Sequence, residues 1–193
     1  MNTTWDWGLF EALNFDGGSL MDWFMTAVSG VVMWIPLYIV ILYIIWRRWQ
    51  WRGVLFMIIA VAVAMGLADI ISGIFKHSGL LKDLWSSFPV RPRPMFTEEL
   101  NDIHVVSYAH GPYGTVSAHA ATITSLAVLA SMVIANRKFT YTMIGIAILV
   151  CYSRIYLACH FPQDILLGMA TGLITGYVGA RLFKYAVARW HKK

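Results

Sequence analysis

Three groups of residues have the types and spacing that could hold and cut a phosphate. The most specific is Ser153-Arg154, five residues, His160, three residues, Asp164. Pro162 suits the first turn of a helix, where its missing N–H costs nothing, and Asp164 then falls in that same turn. A carboxylate there can accept the ring proton of His160 at one nitrogen and orient the other for attack, as an aspartate does in a serine-protease triad. Arg154 lies near the end of an apolar segment, where an isolated charge costs a few kcal/mol. The competing reading, a structural Arg154–Asp164 ion pair, leaves His160 without a role.

The second group is Val116-Ser117-Ala118-His119, after the turn-forming His110-Gly111-Pro112-Tyr113-Gly114. Thr115 or Ser117 can cap the apolar helix that follows. The remaining free amides, that of Ala118 among them, and the helix dipole make an anion site. His119 in the first turn is positioned to protonate a leaving group; the plainer reading is an ordinary cap beside an interfacial histidine. The third group is Lys76, Arg91 and Arg93. Guanidinium groups grip phosphate oxygens in pairs, whereas an ammonium acts as a point charge. The alternation Arg91-Pro92-Arg93-Pro94 predicts an extended strap, because each proline disfavours helix for the residue before it. Taken alone, Lys76 could simply snorkel from its helix end. Together the groups supply cationic clamps, helix-end amides, two histidines and an aspartate, the parts of a phosphoryl-transfer site. The carboxylate-rich set of a two-metal phosphatase is missing. The expectation is therefore a metal-free, cofactor-free hydrolysis through phosphorylated His160.

The elements that carry these groups belong in a membrane. Of 193 residues, 59% are hydrophobic and 13% charged, against about 25% charged in an ordinary soluble domain, and the mean hydropathy is +0.62. Trp23–Trp46 runs 24 residues without a formal charge, enough for a helix that needs about 20 to cross the hydrocarbon core. The pattern predicts an all-α integral membrane bundle with five transmembrane helices, at about 23–46, 53–75, 117–136, 139–159 and 162–185, joined by a long loop over 76–116. The segment around Leu9–Phe15 is too short to span and is expected to lie in the interface; Asp6, Glu11 and the absence of a basic start argue against a signal peptide. Five spans put Arg47, Arg48, Arg52, Arg137, Lys138, Arg181, Lys184, Arg189, Lys192 and Lys193 on one face, cytoplasmic by the positive-inside rule. Asp6, Glu11, Asp16 and Asp22 fall outside with the N-terminus. Lys76, Lys82, Arg91, Arg93 and Arg154 then all lie on the outer face, against the general rule, and an anionic ligand is the simplest reason. The net charge of +5 thus needs no nucleic acid.

The three groups resemble the signature of the type 2 phosphatidic acid phosphatases, membrane lipid phosphatases related to vanadium haloperoxidases. The family pattern is Lys, six residues, Arg-Pro; then Pro-Ser-Gly-His; then Ser-Arg, five residues, His, three residues, Asp. The last element matches without gaps. The resemblance implies a helical bundle with His160 as nucleophile, Asp164 orienting it and His119 as proton donor. It also implies phosphate contacts from Lys76, an Arg-Pro arginine, Ser117 and Arg154. Two departures stand out. Val116 and Ala118 replace the proline and glycine of the middle element, and the lysine spacing fails, since Leu84 and Ser86 stand seven residues before Arg91 and Arg93. Lys76 ends the second span, where the family lysine belongs; Lys82 is its rival. Arg93 is the expected principal clamp and Arg91 a second one.

The resemblance implies a lipid phosphate substrate, cleaved at the outer face of a bacterial inner membrane. The short chain resembles bacterial members that act on lipid A or undecaprenyl diphosphate, with lipid A favoured because the long loop could cover a saccharide. Undecaprenyl diphosphate and phosphatidylglycerophosphate are the alternatives within this class. A lipid-phosphate carrier without enzymatic activity is the alternative outside it, needing the arginines but not His160. The remaining features read as structural. His77, His104 and His110 are expected to be solvated loop histidines, and Glu98, Glu99 and Asp102 a solvated acidic loop. Asp69 lies two turns before Lys76 and can share its face. Leu80–Phe88 could form a short interfacial helix, and the tryptophans near span ends read as interfacial anchors. Gly168, Gly172, Gly176 and Gly179 suggest close helix packing. Cys151 and Cys159 are about 12 Å apart along one helix, too far for a disulfide.

Overall fold

Residues 4–100, 102–107 and 111–190 are described in a computed structural model of the protein. They form six α-helices: α1 Thr4–Leu13, α2 Ser19–Ser29, α3 Ile35–Ile74, α4 Ala118–Ile134, α5 Arg137–Tyr156 and α6 Pro162–Trp190. Among the described residues the sole β feature is an isolated bridge between Pro92 and Tyr113. Three helical stretches are long and apolar enough to cross a membrane, Val32–Ile74, Arg137–Tyr156 and Pro162–Trp190, and α4 is apolar but shorter. Large aliphatic side chains on these helices, such as Ile39, Ile58, Ile148 and Ile174, are between 50% and 67% exposed. A soluble protein rarely leaves such contiguous apolar patches in water. The chain is a membrane protein.

The 40-residue α3 is two helices in one. Gln50 has φ 55° and ψ −162°, which breaks the helical path. Tyr38, Ile41 and Leu42 line one apolar cavity together with Met57, Ile58, Val61 and Ala62. These positions pair symmetrically about residue 50, so the two arms run antiparallel. The basic residues Arg47, Arg48 and Arg52 sit at the bend, with Arg48 donating to the Ile134 carbonyl at 2.7 Å.

Three expected elements are corrected. The run 23–46 is not one helix: α2 stops at Ser29, Gly30 is extended, and α3 restarts with Pro36 in its first turn. A charge-free run reports hydrophobicity and misses a Ser-Gly break followed by a proline. Leu80–Phe88 forms successive turns instead of an interfacial helix. The N-terminal helix does not merely rest in an interface, because Phe10 and Asp6 are both fully buried. Phe10 packs edge-on against Phe161 at 5.3 Å.

α4 and α6 share the most extensive helix contact among the described residues. A side chain at Gly168 would strike the Ser117 carbonyl and Ala120, one at Gly172 the Ala121 carbonyl and Thr124, and one at Gly176 the Ser125 carbonyl and Val128. These contacts advance in the same direction along both helices, so α4 and α6 run parallel with their N-termini at the same end. The backbone approach that small residues allow is what brings the start of α4, bearing His119, beside the start of α6, bearing Asp164. Thr175 donates to Ser125 across the seam at 3.1 Å.

Candidate active site

Building the site begins at the end of α5. The Arg154 carbonyl accepts from the amides of Cys159 at 2.9 Å and His160 at 3.2 Å. Ala158, left-handed at φ 51°, completes a tight turn in a conformation that costs a non-glycine residue about 1–2 kcal/mol. This reversal brings the side chains of Arg154 and His160 to one cavity of about 460 Å³, whose walls also carry Lys76, Arg93, Ala118 and His119.

His160 is 2% exposed. Its Nδ1 lies 3.0 Å from the Gly114 carbonyl oxygen. A carbonyl can only accept, so Nδ1 carries the proton and Nε2 presents its lone pair. Arg93 Nη1 lies 3.1 Å from that Nε2. Burial, then the positive charges of Arg93, Arg154 and Lys76, hold the His160 pKa well below its ordinary value. The imidazole is therefore neutral at neutral pH. Gly114 sits close to the site: a Cβ there would come within 3.2–3.4 Å of Arg93, Asp164 and the His160 ring. Its carbonyl takes the hydrogen bond that the spacing predicts for Asp164. Asp164 Oδ2 is 3.6 Å from Nδ1, beyond hydrogen-bond range, and accepts the Phe161 amide at 3.0 Å.

The Arg-Pro strap is extended, as its prolines predict, and it is pinned at both ends. Arg93 N donates to the Pro112 carbonyl at 2.8 Å, and Gly114 N to the Arg91 carbonyl at 2.9 Å. Arg91 and Arg93 are two residues apart, which in a flat strand would put them on one face. The backbone at Arg93 (φ −71°, ψ 156°) is instead that of a polyproline II helix with three residues per turn, and the two arginines point apart. Arg93 enters the cavity, donating from Nε to the Gly111 carbonyl at 2.9 Å and from Nη1 to the Cys159 carbonyl at 3.0 Å. Arg91 turns away, onto Asp6 and Asp164. It is not positioned as a second phosphate clamp.

Arg154 is 9% exposed, donates to the Ser29 hydroxyl, and leaves a buried Nε without a partner. The alternative Arg154–Asp164 ion pair does not form, since Asp164 pairs with Arg91 instead. Among the described residues, Lys76, Arg93 and Arg154 have no carboxylate within ion-pair distance. Between the rival lysines, Lys76 lines the cavity and Lys82 is exposed on the turns beyond it. Burial, reinforced by Arg93 and opposed by Asp69, lowers the Lys76 ammonium to about 8. Ser117, not Thr115, caps α4: its Oγ accepts from Ala120 N at 3.3 Å, while its own amide donates to the Asp164 carbonyl at 3.0 Å. Its hydroxyl is fully buried in that role, and the residues facing the cavity are Ala118 and His119.

Two smaller features depart from expectation. His104 is not solvated: it lies 2.7 Å from Asp22, packs edge-on against Tyr156 at 5.2 Å, and its backbone is held by Asn14. His77 is partly buried in a left-handed conformation. Glu98, Glu99 and Asp102 are exposed, and His110 lies outside the described residues. Asp69 lines a 190 Å³ cavity beside His119. Asp6 and Gly114 are site neighbours that the sequence reading missed.

The chain is similar to known proteins in sequence and in fold. The chain is 31% identical over 182 residues to the lipid A 4'-phosphatase of Porphyromonas gingivalis, covering 94% of this chain and 74% of that one. It is 29% identical over 157 residues to the lipid A 4'-phosphatase of Bacteroides thetaiotaomicron, covering 81% and 67%. The crystal structure of Aquifex aeolicus LpxE shares the fold, with a TM-score of 0.67 at 20% identity over 93% of this chain and 97% of that one. A family model described as PAP2 superfamily matches residues 57–188, and the chain belongs to that superfamily.

Proposed function

We propose that this protein is a lipid A phosphatase that removes the 4'-phosphate through a phosphohistidine at His160. The observation that carries the lipid reading is continuity between unlike cavities. The cationic cavity shares Ser29, Gly30, Ala118 and His119 with the 190 Å³ cavity beside it. That one shares Val31, Tyr38, Met65 and Leu126 with a 400 Å³ apolar cavity between the arms of α3. A head-group phosphate and a hydrocarbon chain of one molecule thus find adjoining sites. The relatives named for lipid A favour that head group over undecaprenyl diphosphate or phosphatidylglycerophosphate.

In the reaction, the His160 Nε2 lone pair attacks phosphorus in line with the leaving oxygen. The P–O bond breaks as the P–N bond forms, and His119, protonated once the bound phosphate offsets the charges of Lys76, Arg93 and Arg154, gives that proton to the departing sugar oxygen. Lys76, Arg93, Arg154 and the α4 amides at Ala118 and His119 stabilise the equatorial oxygens. Water then attacks the phosphohistidine and passes its proton to His119. Inorganic phosphate leaves, and both histidines return to their starting states. Asp164 stays behind Nδ1 as a counter-charge when His160 carries the phosphoryl group. No step requires a metal ion.

The topology that fits is five crossings, from the two arms of α3 and from α4, α5 and α6, with the N-terminus and site on the periplasmic side and the C-terminus in the cytoplasm. The test is turnover by purified protein in detergent with chelator present, across a panel of lipid phosphates, with mass spectrometry of the product. Release of the 4'-phosphate from lipid A, inhibited by orthovanadate, is the expected result. Binding without turnover would make the protein a carrier, and dependence on added metal would overturn the mechanism. A membrane-impermeant maleimide should label Leu80→Cys on intact spheroplasts. Labelling only after lysis reverses the orientation.

The buried lysine sets a pH limit. The charged form of Lys76 binds phosphate, and its ammonium sits near 8 instead of 10.5. KM should be flat below about pH 8 and rise by up to tenfold per pH unit above it. Lys76→Arg, whose guanidinium stays charged, should move that rise out of the accessible range. An unchanged KM between pH 8 and 9.5 in the wild type would sink this role for Lys76.

A further inference from the structure

We infer that the N-terminal helix is part of the catalytic apparatus, with Asp6 acting through Arg91 on the two groups that flank His160 Nδ1, the Gly114 carbonyl and the Asp164 carboxylate. This rests on the reading of His160 as nucleophile. Arg91 is 8% exposed and Asp6 fully buried. Arg91 Nη1 meets Asp6 Oδ2 at 2.5 Å, and Nη2 donates to Asp164 Oδ1. The guanidinium lies flat enough on Phe161 to put its carbon 4.5 Å from the ring centre. One cation is thus fixed between two carboxylates, one from each end of the chain, over the residue that follows His160.

Arg91 holds the nucleophile from two directions. Its side chain fixes Asp164, whose other oxygen accepts the Phe161 amide and lies beside His160 Nδ1. Its backbone carbonyl anchors the Gly114 amide at 2.9 Å, and the Gly114 carbonyl accepts the Nδ1 proton. The Arg91 amide in turn donates to Thr115 Oγ1 at 3.0 Å. Asp6 adds a second anchor, because its Oδ1 accepts the Gln163 amide at 2.8 Å. That is a free amide in the first turn of α6, where a negative charge is favoured by the helix dipole. Asp6 therefore ties α1 to the guanidinium and to the helix start that carries Asp164.

Arg91 and Asp6 are positioning residues, since neither reaches the cavity where the phosphate sits. Their loss should lower kcat and leave substrate binding alone, the opposite of what a phosphate clamp does. Such supporting contacts typically cost about 10- to 100-fold in activity when removed. Asp6→Asn should lower kcat by that factor with KM and orthovanadate inhibition unchanged, and Asp6→Glu should recover most of it. Arg93→Lys is the contrast, raising KM and weakening orthovanadate.

A double-mutant cycle separates relay from mere support. If Asp6 acts through Arg91, adding Asp6→Asn to Arg91→Lys should cost less than about twofold further. Two independent losses would multiply. Multiplying losses, or wild-type kcat in Asp6→Asn, would refute the relay. So would a rise in KM and in the orthovanadate constant with kcat intact. If Asp6→Asn fails to accumulate, Arg91→Lys carries the test, because a point charge cannot bridge both carboxylates: kcat should fall with KM unchanged, and wild-type kcat refutes. Failure of the phosphatase reading looks different, since the wild type would then turn nothing over.

Discussion

His160→Ala should leave no measurable turnover on any phosphate ester, a loss of at least about 10⁴-fold of the kind that follows removal of a covalent nucleophile. On the proposed mechanism the loss should not depend on the leaving group, because every substrate would first transfer its phosphoryl group to Nε2. The matched variant at the proton donor behaves differently. His119→Ala should cost about 10²- to 10⁴-fold on a sugar phosphate, the usual contribution of a general acid. An aryl phosphate, whose phenolate departs unprotonated, should lose far less in the first step, and a burst of phenolate should precede slow hydrolysis of the phosphoenzyme. The two histidines line one cavity, but only His160 has its ring fixed by a backbone carbonyl with a lone pair turned inward. The comparison is made by steady-state and rapid-quench kinetics on both substrates. Equal losses for both ester types in His119→Ala would remove it from the proton-donor role, and residual activity above about 1% in His160→Ala would remove the phosphohistidine.

What could be read in the sequence was the placement that local spacing determines. Ser153 to Asp164 spans one helix end, one turn and one helix start, so residue types and a proline suffice to bring the ring and the carboxylate together. Lys76 was legible from its place at the end of an apolar run and illegible from motif spacing, because the turns over 79–88 lengthen the chain without moving the lysine. The strap shows where such reading stops. Two Arg-Pro units in succession make both arginines equally good clamps on paper; the fold gives Arg93 to the cationic cavity and Arg91 to Asp6 and Asp164. Nothing local distinguishes them, because the deciding partner is 85 residues away. Gly114 was visible as a turn former, but its carbonyl as the acceptor of the His160 proton is a tertiary fact. The first span was misjudged for a related reason: the Ser29-Gly30 break leaves Ser29 at the cavity wall, where it meets Arg154, and no local pattern shows that contact.

Arg154→Met should produce a protein that is inactive yet no less stable. Arg154 is 9% exposed, has one orphaned nitrogen and faces Lys76 and Arg93 across a cavity that supplies no carboxylate among the described residues. A buried charge without a counter-charge is costly, and replacing such a group by an apolar side chain of similar size is often neutral or stabilising. The unliganded variant should therefore melt at the wild-type temperature or a few degrees above it in detergent. The same substitution removes a donor aimed at the transferring phosphoryl group, and the loss of such a donor costs about 10³-fold in turnover. It also removes ligand stabilisation: orthovanadate, which binds only the folded site, should raise the wild-type melting temperature and leave that of the variant unmoved. Ser29→Ala provides the control, since it deletes the hydroxyl that Arg154 meets without deleting the charge, and it should keep most of the orthovanadate shift. Thermal melts with and without orthovanadate, read beside kcat, decide the matter. A variant that unfolds well below the wild type would mean that Arg154 is a structural cation with a partner of its own, and the three unpaired charges around His160 would no longer argue for a bound phosphate.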